Sequence, residues 1–465
     1  MGVKLILLFL FSFLLRLISL NQSLWLDEAV TAKVVRQFNF FSIIKEFLPY
    51  DFHPPFYYFL MKFWTNIFGH SEISLRFPSI IFSMLSGFVV YKIGSLLENK
   101  KLGFWAAVFF LFNPLIIYYS QEARMYMMTT FFVILGFYFF IKTQKKLQSQ
   151  NLPSDSEDKS QNLIFENNFL LMNLFLILSF FTFYGSIFFI WAILFYFLFK
   201  KQYPYLILTT CYLILSFLII SPLLYQQWVN SKISLAEVKN WSLVLGKANI
   251  KNLLLILIKF SIGRVSFYPK IFYWLTAFSF SFFVFYVLFK NLKSKITLFY
   301  FFIFPIFLGF FISFFTPLLQ YFRFIYLVPL MCLLLVDRSY KSDIIYIILT
   351  AGFLFWSLLY LFIPLFHRED WKSLSFYLKK NKVKEVYMIP SSSDPLIYYY
   401  PKIKINSLKN CYDRSIFLKT KKIYVIPYTA EIYGVDYKSC FKNNYQLIKE
   451  KNFRQITLEE YQKRL

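Results

Sequence analysis

The first residues that could do chemistry are two adjacent carboxylates, Asp27 and Glu28, in the segment LWLDEAVTAKVV at residues 24–35. They follow a long apolar run, and charged side chains are costly against apolar surroundings unless they bind something. A positioned carboxylate can take the proton of a hydroxyl group during nucleophilic attack. The pair would equally suit a solvated loop or the first turn of a helix, where the dipole favours negative charge. Taken alone, the pair leaves both interpretations open.

A second segment, DFHPPFYYFLMKFW at residues 51–64, contains His53 directly before two prolines. Proline is favoured in the first turn of a helix, so the spacing predicts an apolar helix of about ten residues after the prolines. That length is too short to span a bilayer and favours a position in the membrane interface. A lone histidine at such a place is more typical of an ordinary loop than of a ligand.

Two further segments carry arginine near the ends of apolar runs. YYSQEARMYMM, residues 118–128, holds Glu122 and Arg124 in a turn between two runs. These charges would either face a cavity or form an ion pair that joins the helix ends. TPLLQYFRFIYLVP, residues 316–329, holds Arg323. Its guanidinium could bind a lipid phosphate through two parallel hydrogen bonds, or extend to the interface as long basic side chains do.

The elements that must position these residues are membrane-spanning helices. Hydrophobic residues make up 58% of the 465-residue chain and charged residues only 16%, whereas soluble domains have about 25% charged residues. The formal net charge of +26 suits basic cytoplasmic loops and anionic lipids better than nucleic acid, because no basic stripe accompanies a recognition fold. We predict eleven spans, near residues 4–20, 73–97, 102–120, 125–142, 168–183, 185–200, 204–223, 271–290, 296–315, 321–337 and 344–364.

Lysine and arginine set the predicted orientation of these spans. The short loops after spans 2, 4, 6, 8 and 10 each contain two or three basic residues, which are lysines except for Arg338, and the turns after spans 3, 5 and 9 contain few. The positive-inside rule therefore puts the N-terminus in the cytoplasm and the C-terminus outside the plasma (inner) membrane. Outer segments are then expected at 21–72, 224–270 and 365–465, so all four charged segments lie on the outer side. The polar segment 143–166 is predicted to be a flexible cytoplasmic loop.

The tail differs from the predicted transmembrane domain, residues 1–364. WKSLSFYLKK has helical spacing, EVYMIP and KIYVIPYT suit short buried strands, and DPLIYYYP suits a helix between them. This pattern predicts a small extracytoplasmic α/β domain at residues 365–465. It has no nucleotide-binding glycine loop, so we expect no nucleotide cofactor there and a role in covering a partner or substrate. Cys411 and Cys440 could form a disulfide in an oxidising compartment.

The sequence resembles the membrane glycosyltransferases of the GT-C fold in the order of six segments, which are WLDEA, HPPFYYFLMKFW, SLRFPSIIFSMLSG, YYSQEARMY, YFRFIYLVP and REDWKSLSFYL. It is most similar to the protein-mannosyltransferase-like and aminoarabinose-transferase-like group, over about residues 1–380. The resemblance implies an all-α polytopic membrane protein that uses a polyprenyl-phosphate-linked sugar as donor on the periplasmic or luminal side. The acceptor would be a glycan, a lipid or a protein, with membrane lipids around the enzyme.

The resemblance also implies roles for single residues. Asp27 would be the catalytic base, with Glu28 as its partner, and Glu122 would be the acid of the second outer loop. Glu28 and Glu122 are the candidate ligands of a divalent metal ion. Whether the protein needs a metal stays open, because Phe183 stands where relatives often have a histidine. The residues expected to bind substrate in the same cavity are His53, Arg124, Tyr126, Tyr321 and Arg323.

These roles fit a single displacement at the anomeric carbon of the sugar. A hydroxyl is a poor nucleophile near neutral pH, so a carboxylate that takes its proton lowers the barrier. The departing lipid phosphate needs only cationic groups to stabilise its growing charge. The transition state should resemble an oxocarbenium ion, and one displacement inverts the anomeric centre.

Two other classes of protein stay open. A polytopic transporter or flippase of lipid-linked sugars would normally show repeats and a site near the bilayer midplane. Here no internal repeat is visible, and the charged residues lie at helix ends. A non-catalytic membrane scaffold whose tail binds a partner is the other alternative. No motif identifies the sugar or the acceptor.

Overall fold

The computed structural model describes residues 2–149, 166–238, 240, 245–340, 342–410, 421–442 and 444–464. Its helices of six or more residues are α1 (Gly2–Leu17), α2 (Leu26–Gln37), α3 (Phe56–Phe68), α4 (Glu72–Leu97), α5 (Lys100–Phe112), α6 (Pro114–Ser120), α7 (Tyr126–Ser149), α8 (Asn167–Thr182), α9 (Ile187–Phe199), α10 (Tyr203–Glu237), α11 (Ile250–Ile262), α12 (Lys270–Lys290), α13 (Ile296–Ile312), α14 (Val328–Leu334), α15 (Ile344–Phe362), α16 (Trp371–Lys380), α17 (Asp394–Tyr399) and α18 (Tyr437–Lys442). The strands are β1 (Glu385–Met388), β2 (Lys404–Ser407), β3 (Lys422–Val425), β4 (Tyr445–Phe453) and β5 (Ile456–Lys463).

Helical segments coincide with all eleven predicted spans, which confirms the all-α class of the transmembrane part. Six helices in the described ranges are long and apolar enough to cross a membrane: α4, α7, α10, α12, α13 and α15. The pair α5 and α6, bent by 59°, would make a seventh span. The apolar helices Asn167–Thr182, Tyr184–Phe199 and Tyr321–Leu334 are shorter. The count of eleven crossings therefore stays a prediction.

The helix that contains the predicted seventh span is longer than that span, because α10 continues through Pro222 to Glu237. Contacts with the first outer segment hold this continuation in place. Gln227 donates through Nε2 to the backbone carbonyls of Leu48, at 2.9 Å, and His53, at 3.0 Å. Since α10 reaches the segment around His53, it helps to fix the position of that residue.

The predicted loop 143–166 was wrong in its first part. Residues 143–149 continue α7, and an ion pair between Lys146 and Glu166, at 3.3 Å, joins α7 to the start of α8. Residues 150–165 lie outside the described ranges.

The bend between α5 and α6 occurs at Asn113, which caps the second helix. Its Oδ1 accepts hydrogen bonds from the backbone N–H groups of Leu115, at 2.9 Å, and Ile116, at 3.2 Å. Its Nδ2 donates to the carbonyl of Phe260 at 2.7 Å. Proline at the first position of α6 suits this start, because its missing N–H would have no helical partner there.

Two carbonyls at this bend accept hydrogen bonds from other helices. Arg16 of α1 donates through Nη2 to the carbonyl of Leu111 at 3.0 Å, and Ser357 of α15 donates to that of Phe112 at 2.8 Å. Backbone groups within a membrane need internal partners, since no water is available there. The bend is thus stabilised from two sides, and α6 leads into the turn at residues 121–125 beside α2.

The tail forms the predicted α/β domain, with a sheet of order β2-β1-β3-β5-β4. Strands β1, β2 and β3 are parallel, whereas β5 is antiparallel to both β3 and β4. Side chains alternate between the faces of β1: Val386 packs with Trp371, and Tyr387 packs with Phe441. Cys440 takes part in a disulfide, whereas Cys411 lies outside the described residues.

The α/β domain docks on α2 through helix α17, which follows the carboxyl end of β1. Asp394 forms an ion pair with Lys33 of α2 at 3.0 Å. The guanidinium of Arg36 lies 4.3 Å from the ring centre of Tyr398. The hydroxyl of Tyr399 accepts a hydrogen bond from the backbone N–H of Leu24 at 2.9 Å. These contacts bring the domain over the helix that carries the acidic pair.

We expect Asn113→Ala to destabilise the protein more than Asn99→Ala, because both residues cap helices but only Asn113 is buried and holds a second element. Loss of a cap costs about 1 kcal/mol. Because the carbonyl of Phe260 also loses its donor, the free energy of unfolding should fall by about a further 1–3 kcal/mol. The measurement is the apparent melting temperature of both variants in the same detergent. Equal shifts would contradict a structural role for the bend.

Candidate active site

The N-terminus of α2 is fixed by a buried ion pair between Glu28 and Arg76 of α4. Nε of Arg76 donates to Oε1 of Glu28 at 2.8 Å, and Nη2 donates to Oε2 at 2.6 Å. Oε1 also accepts from the backbone N–H of Ala123 at 2.9 Å. With both oxygens occupied and the side chain fully buried, Glu28 joins three parts of the chain. It does not fit the predicted role of a metal ligand.

Arg76 holds the connection between α1 and α2 as well. Its Nη1 donates to the carbonyls of Leu20 and Gln22 at 2.8 and 2.7 Å, and its Nη2 donates to that of Ser23 at 3.0 Å. One buried guanidinium thus satisfies three carbonyls of the turn before α2. The direction in which α2 leaves this turn determines where Asp27 lies.

Asp27 stays accessible beside its buried neighbour, with 36% of its side chain exposed. Nη2 of Arg124 lies 3.5 Å from Oδ2 of Asp27 and 3.5 Å from Nε2 of His53. Arginine can only donate, so Nε2 accepts and Nδ1 of His53 carries the hydrogen. Nδ1 donates to Oδ2 of Asp51 at 3.0 Å, and the same oxygen accepts from Tyr58 at 2.7 Å. The predicted residues Asp27, Arg124 and His53 therefore lie together.

Glu122 lies in the turn before α7 and pairs with Arg368, which follows α15. Oε1 of Glu122 accepts from Nε of Arg368 at 3.1 Å and from Nη2 at 2.9 Å, while Oε2 is buried and has no hydrogen-bond partner in the part of the chain that the structure describes. The guanidinium of Arg368 also lies 3.6 Å from the ring centre of Trp25, two residues before Asp27. Burial raises the pKa of the Glu122 carboxyl, although the charges of Arg368 and Arg264 oppose this shift.

Two further arginines complete the cationic side of the site. Arg264 follows α11 and donates through Nη1 to the hydroxyl of Tyr118 at 2.8 Å. Arg323 lies in the 3₁₀ segment Tyr321–Leu327, against which α11 packs. Neither guanidinium has a carboxylate partner among the described residues. Both are therefore available to an anion from outside the chain.

Tyrosines connect the two arginines with the acids. The rings of Tyr119 and Tyr126 lie 5.0 Å apart, and Tyr126 is within electrostatic reach of both Asp27 and Arg323. Tyr321 is within the same reach of Arg264. Of the predicted substrate-binding tyrosines, Tyr126 is thus influenced by Asp27 and Arg323, and Tyr321 by Arg264.

The predicted divalent metal does not fit the residues of this site. In the described ranges, no group of three or more His, Cys, Asp and Glu side chains could hold a metal ion. Glu28 is bound to Arg76, and Glu122 is bound to Arg368. The ring of Phe183 packs 6.1 Å from that of Tyr126 and offers no ligand.

Comparison with known proteins supports the resemblance found in the sequence. The family described as dolichyl-phosphate-mannose-protein mannosyltransferase matches residues 52–154. The chain is similar in structure to ArnT from Cupriavidus metallidurans in the apo state, with a TM-score of 0.59 and 9% identity over 99% of this chain and 98% of that chain. For ArnT bound to undecaprenyl phosphate, the TM-score is 0.55 at 8% identity, over 99% and 97% of the two chains. No curated protein matches the sequence significantly.

The chain has the GT-C fold. Its similarity to ArnT extends over nearly the whole length of both chains, so the α/β domain is included as well as the helices. The resemblance inferred from the sequence motifs is confirmed at the level of this fold.

Sequence reasoning missed several residues of this GT-C site. Arg76 and Arg368 lie in motifs that carried the resemblance, but no role was expected for them. A lone arginine inside an apolar span needs a partner, and this signal could have led from Arg76 to Glu28. Arg264 and Asp51 lie in outer segments with no periodic pattern. Their approach to the site depends on tertiary packing, which the sequence alone does not reveal.

The adjacent acids should respond differently to neutralisation. Glu28→Gln leaves Arg76 buried without its counter-ion, which we expect to cost about 3–5 kcal/mol. Asp27→Asn changes a partly exposed side chain whose ion pair is long, so we expect little change in stability. Thermal unfolding of both variants, measured by tryptophan fluorescence, tests this difference. The assigned roles would be wrong if Asp27→Asn were the more destabilising change.

Proposed function

We propose that this chain is a glycosyltransferase that moves a sugar from a polyprenyl-phosphate donor to a hydroxyl acceptor. The fold supports the assignment to the glycosyltransferases, and the residues of the site support the type of reaction. One observation carries the proposal: an accessible carboxylate, Asp27, lies 3.5 Å from the guanidinium of Arg124, and both act electrostatically on Tyr126, as does Arg323. The neighbouring rings of Tyr118, Tyr119 and Tyr126 lead from there to Arg264, which binds the Tyr118 hydroxyl. A base among cationic groups suits a reaction in which a hydroxyl loses a proton and a phosphate departs.

In the proposed reaction, the oxygen of the acceptor hydroxyl attacks the anomeric carbon of the sugar. Asp27 takes the proton of that hydroxyl during the attack. The new bond joins the acceptor oxygen to that carbon. The bond between the carbon and the phosphate oxygen breaks, and its electron pair leaves with the phosphate. Attack opposite the leaving group inverts the anomeric centre. Arg124, held between His53 and Asp27, keeps the carboxylate in place.

Arg264 and Arg323 would stabilise the charge that develops on the lipid phosphate. Guanidinium groups bind phosphate with paired, charge-assisted hydrogen bonds. Arg368 is less available, because Glu122 already binds it. ArnT was solved with undecaprenyl phosphate bound, which supports a phosphate of this kind as the ligand to test.

An outward-facing site is part of the proposal. Arg76, near the first turn of α4, belongs to the site, whereas Glu98 follows the last turn and pairs with Lys295 and Arg338 at 3.2 and 2.6 Å. Glu98 lies 22 residues after Arg76 along α4, so the clusters are separated by about 33 Å, close to the thickness of the hydrocarbon core of a bilayer. Basic residues at the Glu98 end support a cytoplasmic location for that end and an extracytoplasmic one for the site and the C-terminus.

Asp27→Asn should lower the rate of sugar transfer by a factor of about 10² to 10⁴, the usual contribution of a general base. The assay uses purified protein with a panel of undecaprenyl-phosphate sugars and measures release of undecaprenyl phosphate. Thermal stabilisation by undecaprenyl phosphate should persist, since the variant keeps both arginines. Glu46→Gln, an exposed acid of the same outer segment, is the control. Full turnover by Asp27→Asn would exclude this mechanism and would favour a transporter or flippase.

Arg264→Ala and Arg323→Ala should each weaken undecaprenyl phosphate binding about ten- to a hundredfold, because each removes a charged hydrogen-bond donor. The measurement is the dependence of the melting temperature on the concentration of undecaprenyl phosphate. Arg338→Ala, at the opposite end of α4, is the matched control and should bind normally. Unchanged binding by both site variants would contradict the assigned phosphate site.

A further inference from the structure

The α/β domain has a cavity at the edge of its sheet that faces away from the membrane helices. The opposite, carboxyl edge faces those helices, because α17 follows β1 and docks on α2, and the turn between β4 and β5 binds the connection before α16. The cavity has a volume of about 250 Å³ and lies where β1 and β3 begin. These two strands pair through Tyr387 and Val425, close to their carboxyl ends. The cavity is therefore separate from the proposed site of sugar transfer.

Three lysines line this cavity. Lys382 and Lys384 lie in the turn between α16 and β1, and Lys422 is the first residue of β3. All three side chains are exposed, and none has a carboxylate partner among the residues that the structure describes. The carboxylate of Glu385 also lines the cavity, but it pairs with Lys404 at 3.9 Å. The cavity therefore carries a surplus of positive charge.

The positive charge continues along the edge, because the sheet topology puts a lysine at this end of four neighbouring strands. Strands β2, β1 and β3 are parallel and begin here, whereas the antiparallel β5 ends here. The backbone N–H of Lys404 donates to the carbonyl of Lys384 at 2.9 Å, and that of Lys463 donates to the carbonyl of Lys421 at 3.0 Å. Neighbouring strands lie about 4.8 Å apart, so the lysines at these four strand ends span about 14 Å. They are Lys404 of β2, Lys384 before β1, Lys422 of β3 and Lys463 of β5.

We propose that this basic edge is a docking site for a polymer with phosphodiester groups outside the membrane. One phosphate occupies the cavity, and neighbouring phosphates of the polymer meet the row of lysines beyond it. A lysine binds phosphate as a point charge on a flexible stem and needs no fixed geometry, which suits a flexible polymer. A bilayer is a poorer fit, because the membrane helices contact the opposite edge of the domain. The inference uses the outward orientation proposed above and adds a partner to the protein, with no further step in the reaction.

The binding test uses the full chain in nanodiscs of phosphatidylcholine, a lipid without net charge, and fluorescently labelled poly(glycerol phosphate). Fluorescence anisotropy measures the dissociation constant of the labelled polymer. A variant that combines Lys382→Gln, Lys384→Gln and Lys422→Gln should bind the polymer about tenfold more weakly, because each exposed ion pair contributes a factor of roughly two. Raising the salt concentration should weaken binding by the wild type as well, since salt screens exposed charges.

The control variant removes the same charge from other parts of the domain. It combines Lys409→Gln, after β2, with Lys449→Gln and Lys451→Gln in β4. It should bind the polymer as the wild type does. Both variants should keep the thermal stabilisation by undecaprenyl phosphate, which shows that they fold and that the proposed donor site is intact.

Four results would overturn the inference and leave the proposed function intact. The first is no binding of the polymer by the wild type, and the second is equal binding by the two variants, which would reduce the effect to net charge. The third is competition by monomeric glycerol phosphate at the same concentration of phosphate groups, which would indicate a site for one phosphate. The fourth is tighter binding, through the same three lysines, to phosphatidylglycerol vesicles or to single-stranded DNA. Failure of the wild type to bind undecaprenyl phosphate would instead count against the proposed function and would leave this inference standing.

Discussion

The buried pair between Glu28 and Arg76 is the interaction on which the site depends. It joins α2 to α4 and, through the backbone N–H of Ala123, to the turn that carries Glu122 and Arg124. Burying an isolated ion is very costly, so each partner requires the other at short distance and in good geometry. The neighbouring Asp27 remains accessible, with a long ion pair to Arg124. One adjacent acid is thus buried in a structural ion pair, and the other is the one to which the proposed function assigns the chemistry.

The other components of the site depend on breaks in regular structure. The bend at Asn113 turns the chain so that residues 121–125 reach α2, and the freed carbonyls bind Arg16 and Ser357. The 3₁₀ segment Tyr321–Leu327 presents Arg323 where a continuous helix would present a different face. At the Asn113 bend, side chains from other helices bind the carbonyls that have lost their helical partners. The irregular segments are where the charged residues converge.

The sequence predicted the fold well, because apolar runs, basic loops and strand alternation are local patterns. It placed a helix at every span and recognised the α/β tail from WKSLSFYLKK and EVYMIP. It also singled out Asp27, His53 and Arg124, which lie together in the structure. It could not separate Glu28 from Asp27, since the difference comes from a partner 48 residues away. Arg264 was missed because its segment shows no local signal, and Arg368 was missed because its motif does not reveal the partner Glu122, which lies 246 residues away.

The short connection between α15 and α16 has a consequence for biosynthesis. Arg454 and Gln455, in the turn between β4 and β5, hold this connection by donating to the carbonyls of Arg368, at 2.5 Å, and His367, at 3.1 Å. Arg368, which binds Glu122, is therefore held by a hairpin that lies 86 residues after it in the chain and more than 300 residues after Glu122. Until that hairpin has been synthesised, neither of these contacts can form, so Arg368 can be fixed against Glu122 only near the end of translation.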